Sequence, residues 1–151
     1  MDNQLISKID VEDIDKNNFM DMLKNFPSQI NEIVNNKDIV LNYVQPNYKF
    51  NNILICGMGG SAIGGDTVKS LISDDMILGE IPIHINRDYS IPGWVDSHTL
   101  VIFSSYSGNT EETISCYEES LSRNSLNVIV TSGGKLLDIA VKKKITIFFN
   151  T

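Results

Sequence analysis

The sequence predicts an α/β domain built on a doubly wound, five-stranded parallel sheet in the order 2-1-3-4-5, preceded by N-terminal helices. The first observation is that short apolar runs alternate with segments of helical spacing from residue 52 onward. The second is that turns rich in glycine and hydroxyl groups follow the first and third predicted strands. In a doubly wound sheet those strands are neighbours, and ligands bind in the crevice between their carboxyl ends. The sequence therefore predicts the fold and the place of its binding site together.

The predicted strands are short and continuous. The runs at 53–56 and 100–103 are largely branched or aromatic, as expected for parallel strands that are buried on both faces. The predicted strands are 53–56, 81–85, 99–103, 127–131 and 145–149, and the predicted helices are about 61–73, 109–123 and 134–143. Residues 87–96 have turn chemistry and are predicted to form a crossover loop. In this order the last strand lies at an edge of the sheet, where we expect it to associate with other chains.

The first fifty residues differ from the rest because they are polar and rich in asparagine. We expect residues 1–50 to form a helical segment that packs on the domain, and residues 51–151 to form the domain itself. Two helices are predicted here, with a break near Pro27 and with Ser28 as the cap of the second. The apolar residues with helical spacing are Phe19, Met22, Leu23, Ile30, Ile33 and Val34.

Composition limits the class of protein and of partner. A chain of 151 residues with 42% hydrophobic and 21% charged residues matches one ordinary globular domain. The formal net charge of −7 argues against nucleic acid or an anionic membrane surface as the main partner. No leader and no membrane-spanning apolar run is visible, so we expect a cytoplasmic protein. Cys56 and Cys116 lack the spacing of a metal site, so we expect packing residues, with no metal and no cofactor.

Two turns, at residues 57–65 (GMGGSAIGG) and 104–112 (SSYSGNTEE), together predict a phosphate-binding cradle. Each turn follows an apolar strand and opens a helix, whose unpaired amides and dipole favour an anion. Small residues let the backbone approach a ligand closely, and the hydroxyl groups can donate hydrogen bonds to it.

Other interpretations of the two turns stay open. Asn109 and Glu112 resemble a helix capping box, which would explain part of the second turn without a ligand. The first turn fits the relaxed dinucleotide pattern G-x-G-x-x-G/A, with Asp88 as the acid that would bind a ribose. Arg87 beside that acid and the second turn, which a dinucleotide does not require, both argue against this alternative.

A third turn, at 131–135, places Lys135 in the first turn of a helix, where the dipole disfavours a cation. An anion held nearby would resolve that conflict, and a solvated lysine is the alternative. His84 and His98 lie away from the predicted crevice, so we interpret both as structural. Glu111 and Glu112 are near the crevice, but first-turn glutamates are stabilised by the dipole without a catalytic role. The sequence therefore shows no acid and base pair.

These turns resemble the sugar isomerase (SIS) domain, and more narrowly the N-terminal half of the bifunctional phosphoglucose/phosphomannose isomerases. The resemblance covers residues from about 20 to the end, and its motifs are GMGGS at 57–61, RDY at 87–89 with Pro92 and Trp94, SYSGNTEET at 105–113, and TSGGK at 131–135. It implies a flavodoxin-like SIS fold. It also implies that Gly59 and Gly60 line the sugar and that the substrate phosphate is held by Ser61, Ser105, Ser107 and Thr110.

The resemblance further implies an aldose–ketose isomerase that acts on glucose, mannose or fructose 6-phosphate through an enediolate. At the position of Lys135 such enzymes can carry an arginine thought to steady the enediolate, and lysine keeps the charge without the planar fork. The family places its base in a second SIS domain, which we do not find in this sequence, so we interpret the chain as a truncated gene, a partial sequence or part of a split enzyme, and we expect it to be inactive alone. We expect a second SIS domain or a homo-oligomer as partner. The alternatives are a stand-alone phosphosugar-binding or sensing module and an NAD(P)-binding Rossmann oxidoreductase.

Overall fold

A six-stranded sheet with helices on both faces carries the fold. The computed structural model describes residues 14–35, 40–41, 49–72 and 81–149. The helices are α1 (Phe19–Asn35), α2 (Gly59–Ile72), α3 (Glu111–Ser120) and α4 (Gly134–Lys143), and a 3₁₀ turn (Leu121–Arg123) follows α3. The strands are β1 (Val40–Leu41), β2 (Asn52–Cys56), β3 (Ile83–Asn86), β4 (Thr99–Ser104), β5 (Leu126–Thr131) and β6 (Thr146–Phe149). By its internal contacts the chain divides into two units, Met1–Asp38 and Ile39–Thr151.

In the described part of the first unit, one long helix lies where two were predicted. α1 runs through Pro27 without a break, so the predicted break there and the cap at Ser28 are wrong. The apolar residues before and after the proline keep the same helical phase, which favours one continuous helix. The cap instead comes from Asp15, whose carboxylate accepts the amides of Phe19 at 2.7 Å and Met20 at 2.8 Å.

The sheet has the strand order β1-β6-β5-β4-β2-β3. Strands β2 to β6 pair in parallel, so the predicted order 2-1-3-4-5 of the parallel strands is confirmed. The predicted count of five is wrong for the sheet as a whole, because β1 adds an antiparallel strand on β6, with Val40 opposite Phe148. β1 falls within the segment predicted to be helical, and two residues are too few to show a period of two in the sequence. Since β1 covers β6, the prediction of an open edge at 145–149 is also wrong.

The two faces of the sheet are covered by different helices, because successive side chains of a strand point to opposite faces. On one face, Phe103 of β4 packs edge to face on Tyr117 of α3, with ring centroids 5.4 Å apart. On the other face, Gly65 of α2 lies so close to the sheet that a Cβ there would be 2.9 Å from Ile85 and 3.2 Å from Ile55. This alternation of helices is the doubly wound arrangement that the sequence predicts.

The connection between β3 and β4 contains no helix or strand, which confirms the predicted crossover loop at 87–96. Its apolar residues Ile91 and Val95 join the core beneath α3. Among the helices of the described ranges, none is long and apolar enough to cross a membrane.

Candidate functional site

Three turns meet at the carboxyl edge of the sheet, after β2, β4 and β5. The strands run in parallel and in register there, with Cys56 opposite Phe103 and Phe103 opposite Ile129, so the turns that follow them come to one place. β2 and β4 are neighbours although β3 lies between them in the chain. The crevice between their ends is the switch point at which doubly wound sheets bind ligands.

The first and second turns touch through Gly57. A Cβ on Gly57 would lie 2.9 Å from the carbonyl oxygen of Ser104, which is closer than real Cβ contacts. Gly59, at φ +51, and Gly60 are exposed, and a Cβ on either would meet nothing within 4 Å. Ser61 follows them, half-buried, with its amide donated to the carbonyl of Met58 at 3.1 Å. The first turn thus combines one close contact with open space.

The second and third turns interlock through two glycines. Gly108 has φ +66, and a Cβ there would overlap the carbonyl oxygen of Gly133 and lie 2.7 Å from its carbon. Gly134 has φ +67, and a Cβ there would overlap the carbonyl oxygen of Ser107. The amide of Leu136 donates to the carbonyl of Gly108 at 3.0 Å, which ties α4 to the second turn. Side chains at these two positions are excluded both by conformation and by space.

Asn109 links the same two turns, and its bonds decide whether it caps α3 as the capping-box alternative predicts. Its Oδ1 accepts the amide of Lys135 at 3.1 Å, and its Nδ2 donates to the carbonyl of Ser107 at 3.2 Å. The N-cap of α3 is Thr110, which makes no side-chain capping bond. The capping-box alternative for Asn109 and Glu112 is therefore wrong, because the asparagine holds α4 rather than the start of α3.

Ser105 and Thr110 are brought into direct contact. Ser105 is buried, and its Oγ lies 2.7 Å from Oγ1 of Thr110 and accepts the amide of Gly108 at 3.1 Å. Ser107 is exposed, and its Oγ accepts the amide of Asn109 at 3.2 Å. Within the predicted set, Thr110 and Ser107 are accessible from outside the turn, whereas Ser105 supports it from inside.

The start of α3 combines open amides with carboxylates. Because Thr110 provides no capping bond, the helix begins without a side-chain acceptor from its cap residue, as an anion site requires. Glu111 and Glu112 occupy the first turn of the helix. The charge of Glu112 and, more weakly, burial and the charge of Glu111 raise the pKa of Tyr89. A dianion bound here would gain from the helix dipole and would be repelled by these glutamates.

A cleft of about 450 Å³ opens beside the first turn. α2 and the turn before it contribute Met58, Gly60, Ser61 and Gly64, and the ends of β4 and β5 contribute Ser104, Tyr106, Val130, Thr131 and Ser132. Of the predicted residues, Gly60 and Ser61 line the cleft. Tyr106 and Ser132 were missed as site residues, although the alternation of a strand that continues into its turn could have indicated them. Ser104 and Tyr106 face the cleft, while Ser105 between them points to the α3 side.

Lys135 does not line the cleft. Its Nζ lies 3.7 Å from Oε1 of Glu118 on α3, and both side chains are more than half exposed. The carboxylate of Glu118 offsets the unfavourable position of the lysine at the start of the helix, so no bound anion is needed to explain it. An exposed pair of this kind contributes about 0–1 kcal/mol and leaves the lysine free to move.

The histidines and Asp88 are occupied elsewhere. His84 packs edge to face on Trp94 with centroids 5.9 Å apart. The carbonyl of His98 accepts the amide of Asn51 at 2.9 Å, at the amino end of the sheet. Both positions agree with the structural roles predicted for the histidines. The carboxylate of Asp88 accepts the amide of Tyr89 at 2.7 Å.

A polar cluster lies beneath the site. Asn86, at the end of β3, donates from Nδ2 to the Sγ of Cys116 at 3.2 Å and to the carbonyl of Ser90 at 3.0 Å. Cys116 donates to the carbonyl of Asp88 at 3.1 Å. The hydrogen bond with Cys116, followed by burial, raises the pKa of Cys56. Both cysteines are free and lie in the hydrophobic core, as predicted for packing residues. Among the residues that the structure describes, no group of histidine, cysteine and carboxylate side chains could hold a metal ion.

Comparison with known proteins supports the predicted resemblance. The chain is 42% identical over 119 residues to the bifunctional phosphoglucose/phosphomannose isomerase of Caldicellulosiruptor bescii, which covers 78% of this chain and 34% of the relative. It is 42% identical over 92 residues to the enzyme of the same name from Thermoplasma acidophilum, covering 61% of this chain and 28% of the relative. The chain spans about a third of the length of the curated relatives that it matches.

The fold is also that of a solved protein. A candidate phosphosugar isomerase from Bacillus subtilis matches with a TM-score of 0.53 and 16% identity, covering 82% of this chain and 35% of that one. No protein-family model matches the chain. The resemblance that the motifs predict is confirmed: this chain is similar in sequence to part of the bifunctional phosphoglucose/phosphomannose isomerases, on an α/β fold shared with a candidate phosphosugar isomerase.

Proposed function

We propose that this chain is the phosphosugar-binding SIS domain of a glucose-6-phosphate/mannose-6-phosphate isomerase, which interconverts aldose and ketose through an enediolate. In this proposal residues 51–151 belong to the SIS domain, and the ligand is a hexose 6-phosphate. The names of the relatives supply the substrate class and the reaction.

The observation that carries the proposal is the convergence of three turns at the switch point of the sheet. Hydroxyl groups of the second turn stand beside the start of α3, whose cap residue makes no side-chain capping bond. A phosphate is the anion that such a combination of hydroxyls and helix amides suits. The formal charge of −7 does not oppose this, because the donors act at contact distance.

The proposed roles divide between anchoring and chemistry. Ser61, Ser107 and Thr110 anchor the phosphate directly, Ser105 takes part in the anchor through its hydrogen bond to Thr110, and Gly59 and Gly60 leave room for the sugar. Lys135 would stabilise negative charge on the enediolate after leaving its exposed partner Glu118.

The reaction also needs a base that moves a proton between C1 and C2 of the sugar. Within the described ranges, the residues that line the cleft include no carboxylate and no histidine. We therefore propose that the base belongs to a second SIS domain or to another copy of the chain. In a coupled assay this chain alone should show little turnover, and a kcat of order 10 s⁻¹ would mean that the base is present in it.

Calorimetry tests the binding proposal directly. Glucose, mannose and fructose 6-phosphates should bind, and the sugars without phosphate should bind negligibly. Ser107→Ala and Thr110→Ala should each lower the affinity about 5- to 150-fold, the effect of about 1–3 kcal/mol for a charge-assisted hydrogen bond. Ser122→Ala is the matched control, since that exposed serine donates to the carbonyl of Glu119, outside the three turns. Equal affinities for glucose and glucose 6-phosphate would contradict the proposal.

A further inference from the structure

Tyr106 occupies an unusual place in the second turn. It stands between Ser105, which supports Thr110 from inside the turn, and Ser107, a proposed phosphate ligand, yet it lines the cleft beside α2. Its side chain is 68% exposed. In the part of the chain that the structure describes, nothing accepts a hydrogen bond from its hydroxyl. A large aromatic side chain is thus held at the mouth of a cleft without a structural partner.

The backbone beneath this ring is fixed. The carbonyl oxygen of Tyr106 accepts two hydrogen bonds from Ser132, one from the amide at 3.1 Å and one from the hydroxyl at 2.5 Å. Gly108 of the same turn packs so closely against Gly133 that only a glycine fits there. The interlocked turns therefore hold the backbone of Tyr106 at the cleft before any ligand arrives, so binding has to order only the side chain.

The α2 side of the cleft is shaped differently. It presents Gly60 and Gly64, and a Cβ on either glycine would meet nothing within 4 Å. The cleft therefore has an aromatic side chain on the strand ends and bare backbone on the helix, with hydroxyl groups of Ser61, Ser104 and Ser132 around them. Such a site offers an apolar surface to C–H groups and hydroxyls to O–H groups.

We propose that Tyr106 is a specificity-determining residue that packs against the carbon chain of the bound hexose phosphate, with the phosphate held by the neighbouring hydroxyls. This inference rests on the proposed function and assigns the sugar to the cleft. Tyr106 contacts the sugar, and the neighbouring hydroxyl groups bind the phosphate. Its ring then separates hexose phosphates from inorganic phosphate, a ligand that the anchor alone would bind equally well.

The test compares two ligands on the full 151-residue chain. Calorimetry with glucose 6-phosphate and with inorganic phosphate gives a ratio of affinities for each variant. Tyr106→Ala should lower the affinity for glucose 6-phosphate about 10-fold, the usual effect of one aromatic contact, and leave that for inorganic phosphate unchanged. Tyr106→Phe should keep most of the ratio. Phe26→Ala is the matched control, because this aromatic residue of α1 is 59% exposed and does not line the cleft.

The outcomes separate this inference from the proposed function. If Tyr106→Ala weakens both ligands equally, or neither, the tyrosine does not read the sugar and the inference is overturned while phosphate binding stands. If the wild-type chain binds inorganic phosphate as tightly as glucose 6-phosphate, the sugar contributes nothing and the inference again fails. If the wild-type chain binds neither, both the inference and the proposed function are overturned. Since Tyr106 is exposed, its substitution should leave the melting temperature unchanged.

Discussion

Replacing Gly108 by alanine should separate the second and third turns and destabilise the protein. The residue has φ +66, where a Cβ costs about 1–2 kcal/mol. The new methyl group would overlap the carbonyl oxygen of Gly133 and lie 2.8 Å from Oγ1 of Thr131, so one turn must move. Movement breaks or stretches two hydrogen bonds of Gly108, to Leu136 at 3.0 Å and to Ser105 Oγ at 3.1 Å, each worth about 0.5–1.5 kcal/mol.

The expected loss is therefore about 2–5 kcal/mol, the conformational cost plus two hydrogen bonds. This is a large part of the roughly 5–15 kcal/mol that stabilises an ordinary domain. Urea unfolding followed by the fluorescence of Trp94, the only tryptophan, gives the free energy of unfolding for each variant. Because α4 is hydrogen-bonded to the same turn through Leu136, the affinity for hexose 6-phosphate should fall as well.

Gly133→Ala is the control, since it changes the same junction by the same methyl group. Gly133 has φ 173, which is extended backbone, and a Cβ there would meet nothing within 4 Å. Its free energy of unfolding should stay within about 1 kcal/mol of the wild type. If Gly108→Ala loses no more stability than Gly133→Ala, the interlock of the two turns does not hold the site together and the reasoning is refuted.

Three further predictions concern the core beneath the site. Tyr117→Phe removes a buried hydroxyl that has no partner in the described part of the chain, so it should stabilise by about 1 kcal/mol. Burial raises the pKa of Tyr117 in the folded protein, so ionisation of this phenol does not affect stability below pH 10 but lowers the free energy of unfolding as the pH rises further. Tyr117→Phe has no phenol to ionise and should resist alkaline unfolding better. Asn86→Ala should cost about 1–3 kcal/mol in urea unfolding, because it removes the side-chain donor of the Ser90 carbonyl in the crossover loop. Cys56 and Cys116 are buried, so a thiol reagent such as DTNB should modify them only after urea unfolds the protein; rapid modification of the native protein would contradict the core packing.

The order of the parallel strands could be predicted because each strand is a separate apolar run and crossover handedness restricts the topology. β1 could not, since a pair such as Val40 and Leu41 has no pattern and pairs only through a distant partner, β6. The helix through Pro27 was missed because the local rule for proline outweighed the common phase of the apolar residues on either side.

The site was predicted in its chemistry but not in its arrangement. Serine and glycine types identify a turn that can hold an anion, and they do not say which serine faces outward. The partner of Lys135 was missed for the same reason, because Glu118 lies on the next helix and nothing in the sequence sets the distance of 3.7 Å. Contacts between turns, such as that of Gly108 with Gly133, depend on strand register, which the sequence fixes only through the folded sheet.

In the proposed site the hydroxyls of Ser105 and Thr110 have different functions because of how they are already bonded. One hydrogen lies between their oxygens, 2.7 Å apart, and Ser105 also accepts the amide of Gly108. Ser105 is only 1% exposed, so an anion outside the turn is reached by Thr110. An incoming phosphate therefore favours the arrangement in which Ser105 donates to Thr110 and Thr110 donates to the phosphate, and each bond polarises the next. Ser105 then strengthens the anchor without touching it, and Thr110 carries the contact.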